Sequence, residues 1–221
     1  YLNAGSIPAR IKDALNTALQ ISLENIPKIN GKTVLAIDYS GSMTWKINLK
    51  SSVRHIDIAA VFAAALKFRN PEAEIVLFNS HARDYIVNPG TTVLQLANDI
   101  SRLANGGTDC GVALKHIYDK GRYSGMPDNI IMISDNQSWL GFNNGHKTTT
   151  QRIFDDIRQI NPRAKMVNID IAPISSSQTS PSEHVLNIGG FNDTVFKIVS
   201  DFFESKGDKS FWVNKIKAVE I

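Results

Sequence analysis

The stretch TVLAIDYSGS, residues 33–42, decides the fold of this 221-residue chain. Its first five residues are apolar or β-branched with no polar alternation, which is the pattern of a strand covered on both faces. Polar residues follow at once, beginning with Asp38. A second stretch, NIIMISD at residues 129–135, has the same form and again ends in an aspartate. The two stretches predict the central strands of a parallel sheet.

Segments with helical and strand-like patterns alternate along the rest of the chain. After a leading helix from Ser6 to about Asn25, we expect helices over 54–69, 91–104, 108–120, 148–160 and 193–204, and strands over 74–78, 82–87, 165–170 and 184–188. This alternation predicts one three-layer, Rossmann-like α/β domain over residues 1–221, with a mostly parallel sheet and helices on both faces.

We make separate predictions for the edge of the sheet and for the two ends of the chain. Only residues 79–81 separate the strands at 74–78 and 82–87, so these two form a hairpin and the second is an antiparallel edge strand. The leading helix, within residues 1–30, is expected to pack on the domain. The tail at 205–221 alternates loosely, and its pattern fits either an edge strand or a docking arm.

Composition excludes several classes of protein. The hydrophobic share is 43%, and no stretch approaches the ~20 apolar residues that a membrane span needs. A net charge of +3 is too small to indicate nucleic-acid binding without a concentrated basic patch. The single cysteine, Cys110, cannot form an internal disulfide and is expected to be a buried packing residue. It fits a reducing, cytoplasmic location.

Polar residues after the two central strands predict a metal site. Ligand crevices of parallel sheets lie beyond the carboxyl ends of the strands. In this chain, the loop after each central strand and a third loop between two predicted helices bring two carboxylates and three hydroxyls to that edge. Such oxygen ligands suit a hard cation, Mg²⁺ or another divalent ion such as Mn²⁺. Alternate residues of the first loop share a side if it stays extended, and Gly41 gives it freedom to bend. The candidate ligands are Asp38, Ser40, Ser42, Thr108 and Asp135.

The chain resembles the von Willebrand factor A (vWA) family, whose metal-ion-dependent adhesion site (MIDAS) has the pattern Asp-x-Ser-x-Ser. Residues 38–42 match that pattern, Thr108 stands where the family places a threonine, and Asp135 stands where it places its last aspartate. The resemblance implies that the hydroxyls ligate the ion directly and that the aspartates act mostly through bound water. It also implies that an acidic residue of a protein partner completes the coordination.

Within that family, the chain is similar to the C-terminal domain of Ro autoantigen, or TROVE-module, RNA-binding proteins. The similarity rests on residues 7–11, 25–27, 38–43, 107–110 and 134–136 and runs from about Ile7 to about Phe203. In those proteins a ring of helical repeats precedes the domain and binds small Y RNAs and misfolded RNAs. Because this chain begins at Tyr1 and contains no such ring, we expect a fragment of a longer protein.

The resemblance implies a metal-dependent binding module of a ribonucleoprotein that takes part in non-coding RNA binding and RNA quality control. Y-like RNA would be bound by the full-length protein, and direct contact between RNA and this domain is left open. We expect a monomer that does not bind membranes.

Two alternatives stand beside this interpretation. In the first alternative, the domain is a structural lid that closes the ring of helical repeats, and its metal site is vestigial. In the second, it is a Mg²⁺-dependent phosphoryl-transfer or hydrolytic enzyme. An aspartyl phosphatase would want a second carboxylate where Ser40 stands, and the chain has no phosphate-binding loop and no Gly-x-Ser-x-Gly motif. We therefore expect no enzymatic activity.

Three further residues are candidates for contact with a partner. Trp139 and Phe142, in the loop after Asp135, are large aromatics of the kind that anchor a partner, although they could also fold back onto the domain. Lys46 lies beside Trp45 in a basic stretch with Lys50 and Arg54, which could contact RNA, although an ordinary solvated loop has the same composition. The five histidines show no pair at zinc spacing and are expected on the surface or in the core.

Overall fold

A computed structural model describes residues 8–24, 26–135, 148–173 and 179–205, together with Phe211, Val213 and Lys217. Within these residues the strands are β1 (Thr33–Asp38), β2 (Glu74–Phe78), β3 (Ala82–Tyr85), β4 (Asn129–Ser134), β5 (Lys165–Asp170) and β6 (Val185–Gly189). The helices are α1 (Ala9–Leu23), α2 (His55–Arg69), α3 (Val93–Ser101), α4 (Cys110–Ser124), α5 (Thr149–Ile160) and α6 (Thr194–Glu204). A short 3₁₀ helix, Gly41–Thr44, follows β1.

The strands form one sheet in the order β3-β2-β1-β4-β5-β6. All neighbouring pairs are parallel except β2 and β3, which form the expected antiparallel hairpin at the edge. β1 and β4 pair with each other at the centre, and every residue of both strands is buried. The unbroken apolar runs at 33–37 and 130–133 therefore correctly predicted strands covered on both faces.

Helices cover both faces of this sheet. One face packs against α1, α2, α3 and α6 through alternate strand residues such as Leu35 and Ile133, while the other packs against α4 and α5 through Ala36 and Met132. Burying each large side chain in these two layers stabilises the fold by about 1.5–3 kcal/mol relative to leaving it exposed. The three-layer, mostly parallel α/β architecture is confirmed.

Several element boundaries differ from expectation for identifiable reasons. β3 ends at Tyr85 rather than at residue 87, because Tyr85 pairs with Ile75 near the start of β2 and the next residues have almost no partner strand left. α4 continues to Ser124, where Gly125 with a φ of 86° ends it. α1 begins at Ala9 after Pro8; the proposed cap Ser6 lies outside the described residues.

The two margins of the chain are described in part. α1 packs through Leu19, Leu23 and the following Ile26 on the core that contains α2 and α3. The tail positions Phe211 and Val213 are helical, as is Lys217, so the edge-strand expectation is wrong at these residues.

Candidate metal centre

Asp38 ends β1 at the carboxyl edge of the sheet and is completely buried. Its Oδ1 accepts a hydrogen bond of 2.8 Å from the backbone N–H of Ser40, and its Oδ2 accepts one of 2.6 Å from Oγ of Ser134. The first bond is the local turn that aspartate side chains make with the backbone two residues on. Both carboxylate oxygens are therefore fixed at the point where the chain leaves the strand.

Ser40 and Ser42 present a pair of hydroxyls beside this carboxylate. The two Oγ atoms are 3.2 Å apart, with Ser40 buried and Ser42 half-buried. The expectation that the segment stays extended is wrong, because the chain turns into a 3₁₀ helix at Gly41. The hydroxyls nevertheless meet, since the 3₁₀ turn brings the second serine back toward the first.

Gly41 has a different role from the one expected of it. Its φ is not positive, but a Cβ atom at this position would lie 2.9 Å from the backbone oxygen of Gly106. The N–H of Gly41 donates a 2.8 Å hydrogen bond to that same oxygen. Glycine is needed here because two backbone segments approach each other closely, and this contact joins the loop after β1 to a second loop, the one between α3 and α4.

Thr108 belongs to that second loop and is buried. The loop is held by hydrogen bonds from the N–H of Asn105 to the carbonyl of Tyr39 and from the N–H of Asp109 to the carbonyl of Asn79. Nδ2 of Asn79 also donates to the carbonyl of Asn105 at 3.1 Å. The loop between α3 and α4 is thereby fixed against the end of β1, as the sequence predicted.

Asp135 follows β4 directly and is completely buried. Because Ile37 pairs with Ile133, the ends of β1 and β4 are adjacent, and the negative charge of Asp135 acts on Asp38. On its other side, Nδ1 of His55 lies 3.8 Å from Oδ2 of Asp135, beyond hydrogen-bond length. The structure thus gathers all five candidate residues at one edge of the sheet.

Burial raises the pKa of Asp38 to about 6. Hydrogen bonds from Ser134 and Ser40 lower this pKa, and the charge of Asp135 raises it, but the loss of hydration dominates. Among the described residues, no lysine or arginine forms an ion pair with this carboxylate. A bound cation would supply the missing charge, since a buried carboxylate is costly without one.

The donor set fits a small divalent cation. Neighbouring ligands of an octahedral Mg²⁺, each 2.0–2.1 Å from the ion, lie about 2.9 Å apart, close to the separation of the two serine hydroxyls. Within the described part of the chain, no three His, Cys, Asp or Glu side chains are grouped to hold a metal. Any ion at this site would therefore need hydroxyl oxygens and water besides the two aspartates, and Mg²⁺ usually keeps several waters when it is bound by one or two carboxylates.

Two contributors to the site were absent from the sequence-based prediction. Ser134 holds Asp38 in place, and a serine ending a strand gives no local sign of that role. His55 was expected on the surface or as a satisfied core residue, yet it is buried, and its Nδ1 makes no hydrogen bond to any residue that the structure describes. Only its position at the first turn of the helix after the metal loop could have suggested proximity.

The candidate partner-contact residues have different outcomes. Lys46 is exposed, as are Trp45 and Lys50 beside it. Arg54 is committed to the fold instead, because its guanidinium pairs with Asp57 at 2.6 Å and donates to the carbonyl of Ser101. Trp139 and Phe142 lie outside the described residues, as does Asn136.

Cys110 and the helices bear on two further expectations from the sequence. Cys110 is fully buried in the core between the sheet and α4 and α5, as predicted. Among the described helices, none has the length and apolar character that crossing a membrane requires.

Comparison with known proteins relates this chain to one family. The family model for the Ro60 vWA domain matches residues 32–203. The RNA-binding protein RO60 of Deinococcus radiodurans is 25% identical over 197 residues, covering 87% of this chain and 35% of that protein. The RNA-binding protein RO60 of Caenorhabditis elegans is 26% identical over 200 residues, covering 89% and 30%. The chain thus spans about a third of the length of these curated relatives.

One solved structure shows the same fold as this chain. The crystal structure of the Deinococcus radiodurans RO (RSR) protein matches with a TM-score of 0.71 and 23% identity, over 90% of this chain and 39% of that one. The manganese-loaded Plasmodium vivax TRAP protein matches with a TM-score of 0.47 and 13% identity, over 81% and 74%, a likeness too low to inform on the site.

Proposed function

Because the chain belongs to the Ro60 vWA domain family, we propose that it is a divalent-metal-dependent binding domain. The hydroxyls of Ser40, Ser42 and Thr108 would hold Mg²⁺ or Mn²⁺, with Asp38 and Asp135 balancing its charge and orienting its bound water. The ion would act as a Lewis-acidic contact for a further oxygen ligand, and a carboxylate of a protein partner would suit that role. No step of bond making or breaking is needed for this role.

One observation carries the proposal. Asp38 is completely buried with a pKa raised to about 6, and a hydroxyl pair 3.2 Å apart lies beside it. Such a carboxylate costs stability unless a cation accompanies it, so its presence is best explained by a function that needs the charge.

The lid alternative has one supporting observation. Asp38 already receives hydrogen bonds from Ser40 and Ser134, so the protein holds this carboxylate without an ion. A lid predicts that Mg²⁺ leaves the stability of the chain unchanged, whereas the binding domain predicts a clear stabilisation. The enzymatic alternative is not favoured by any feature of the described residues.

The relatives extend the proposal to the whole protein. Both curated relatives are named RNA-binding proteins, and this chain covers about a third of each. We place the domain in a longer Ro-like protein that binds small non-coding RNA, including Y-like RNA, and acts in RNA quality control. In that protein the domain is the monomeric, non-enzymatic, metal-dependent contact to a protein partner. A cytoplasmic location stays a prediction from the single cysteine.

Electron paramagnetic resonance of Mn²⁺ tests the metal site. Free Mn²⁺ should disappear on addition of the chain until one ion is bound per molecule, and Mg²⁺ should displace it. Asp38→Asn should abolish this uptake. Asp170→Asn is the matched control, because Asp170 ends β5 and accepts the N–H of Ala172 in the same kind of turn. Equal Mn²⁺ uptake by the Asp38→Asn variant and the wild type would reject the site.

A further inference from the structure

A cleft of about 410 Å³ opens beside the metal centre at the carboxyl edge of the sheet. We call this cavity the side cleft. It is lined by Ile47, Asn48, His55, Ile171, Ala172, Pro173 and Phe191. Its volume lies within the roughly 300–1,000 Å³ of pockets that bind small ligands. Five of the seven lining residues are apolar, so the side cleft suits an apolar group rather than a second ion.

The side cleft is continuous with the metal centre through His55. This histidine lines the cleft, and its Nδ1 lies 3.8 Å from Oδ2 of Asp135. Ile171, another lining residue, is also held next to the metal centre, because its N–H donates a 2.9 Å hydrogen bond to the carbonyl of Ser134, the residue before Asp135. A ligand bound at the ion would therefore have the side cleft as its immediate neighbour.

One ring nitrogen of His55 has no hydrogen-bond partner among the described residues. Its side chain is 9% exposed, and its Nδ1 makes no hydrogen bond with the described residues. A buried polar nitrogen without a partner destabilises the fold, so a group that accepts or donates a hydrogen bond there would be favoured. The polar backbone of a bound peptide supplies both kinds of group.

The rim of the side cleft favours an acidic ligand. Lys46 and Lys50 flank the lining residues Ile47 and Asn48, both lysines are exposed, and neither pairs with an acid among the described residues. No aspartate or glutamate occurs between residues 39 and 56. Positive charge beside an apolar cleft and a carboxylate-binding ion is complementary to an acidic peptide.

We propose that the side cleft is the specificity site of the metal-dependent interface. It receives a large apolar side chain, such as leucine, phenylalanine or tryptophan, of a partner peptide whose neighbouring aspartate or glutamate completes the ion's coordination. This inference rests on the proposed metal-dependent function and names the chemistry of its partner. Residues of an extended peptide are about 3.3–3.6 Å apart, so the apolar residue falls within one to three positions of the acid.

A peptide fits this surface better than RNA. RNA bases are held by stacking on aromatic or guanidinium planes, whereas Phe191 is the one aromatic residue among the described residues that line the side cleft. Arg54, which precedes His55 in the chain, is paired with Asp57. Four of the other six lining residues are aliphatic or proline, which pack against the side chains of apolar amino acids.

Binding of a synthetic peptide array tests the inference. Each peptide carries one aspartate in a serine-glycine background, with alanine, leucine, phenylalanine, tryptophan or lysine placed at one to three positions on either side. Arrays are probed with the full chain in MgCl₂ and in EDTA. We expect leucine, phenylalanine and tryptophan peptides to bind about tenfold tighter than alanine peptides, and only in MgCl₂.

Two variants assign that preference to the side cleft. Phe191→Ala removes an apolar wall from a residue that is 40% exposed, and Asn48→Trp fills the space. Both should lose the apolar preference while Mn²⁺ uptake and binding of the alanine peptides stay unchanged. The matched control is Tyr123→Ala, an aromatic that is 91% exposed at the far end of α4, and it should retain the preference.

Each other outcome contradicts the inference in a distinguishable way. Mn²⁺ uptake with no apolar preference, or a preference that survives in both cleft variants or in EDTA, overturns the side cleft while leaving the metal site intact. Single-stranded RNA that binds only in MgCl₂ and is blocked by Asn48→Trp, with no peptide bound, replaces the peptide as occupant. Absence of Mn²⁺ uptake rejects the proposed function first and this inference with it.

Discussion

Replacing Asp38 by asparagine should stabilise the metal-free domain at neutral pH. The folded-state pKa of this carboxyl is about 6, against 3.8 for the same group in water. At about 1.4 kcal/mol for each pH unit, holding the ionised carboxylate in the folded protein costs about 3 kcal/mol. Asparagine is isosteric and uncharged, and can keep hydrogen bonds to Ser40 and Ser134, so the variant avoids this cost.

The sign of the pH dependence follows from the raised pKa. The folded wild type binds a proton more tightly than the unfolded chain, so this group's stabilising contribution is complete below about 3.8 and is lost as the pH rises through about 6. The advantage of Asp38→Asn should therefore be largest above about pH 7 and should narrow steadily between about pH 6 and pH 4.

Urea unfolding followed by circular dichroism measures this difference. In EDTA at pH 7.5, Asp38→Asn should need more urea than the wild type, with an unfolding free energy up to about 3 kcal/mol higher. Saturating Mg²⁺ should close the gap, because an ion at a hundred times its Kd adds about 2.7 kcal/mol to the wild type alone. A variant no more stable than the wild type in EDTA, or an equal response of both to Mg²⁺, would refute the reasoning.

Three further changes probe the same site. Gly41→Ala should lower the unfolding free energy by about 1–3 kcal/mol and weaken Mg²⁺ binding, because the Cβ of the new side chain would lie 2.9 Å from the backbone oxygen of Gly106. Urea unfolding measures the first effect and Mn²⁺ uptake the second. Thr108→Val should weaken Mn²⁺ binding about tenfold or more while the circular dichroism spectrum is unchanged, since only a hydroxyl is lost; normal affinity would remove Thr108 from the site. Ser134→Ala should raise the pKa of Asp38 further, because its hydrogen bond lowers that pKa, so Mg²⁺ binding should begin at a higher pH than in the wild type; a pH series of titrations measures the shift.

The fold was predictable where local sequence and tertiary burial agree. Residues 33–37 and 130–133 are uninterrupted apolar runs, and a strand at the centre of a three-layer structure tolerates little else. The hairpin of β2 and β3 followed from a connection too short for a crossover. The residues of the candidate site could be grouped because parallel strands end at the same edge.

The parts that could not be predicted depend on contacts between distant segments. His55 lies beside Asp135 only in the folded chain, because the two residues are 80 positions apart in the sequence and no pattern links them. Gly41 serves a close backbone approach to Gly106, which only the folded loops define. Lys165 lies buried inside β5 because its Nζ reaches the carbonyl of Phe202 and Oγ of Ser205, and a lysine in a strand gives no sign of such partners.

Isothermal titration of Mg²⁺ into the wild-type chain, with Asp38→Asn and Asp170→Asn in parallel, tests the central claim most directly. The claim is that the buried carboxylate and hydroxyls at the ends of β1 and β4 hold a divalent ion. We predict one saturable binding event in the wild type and in Asp170→Asn, and none in Asp38→Asn. Equal binding by all three proteins, or no binding by any of them, would contradict it.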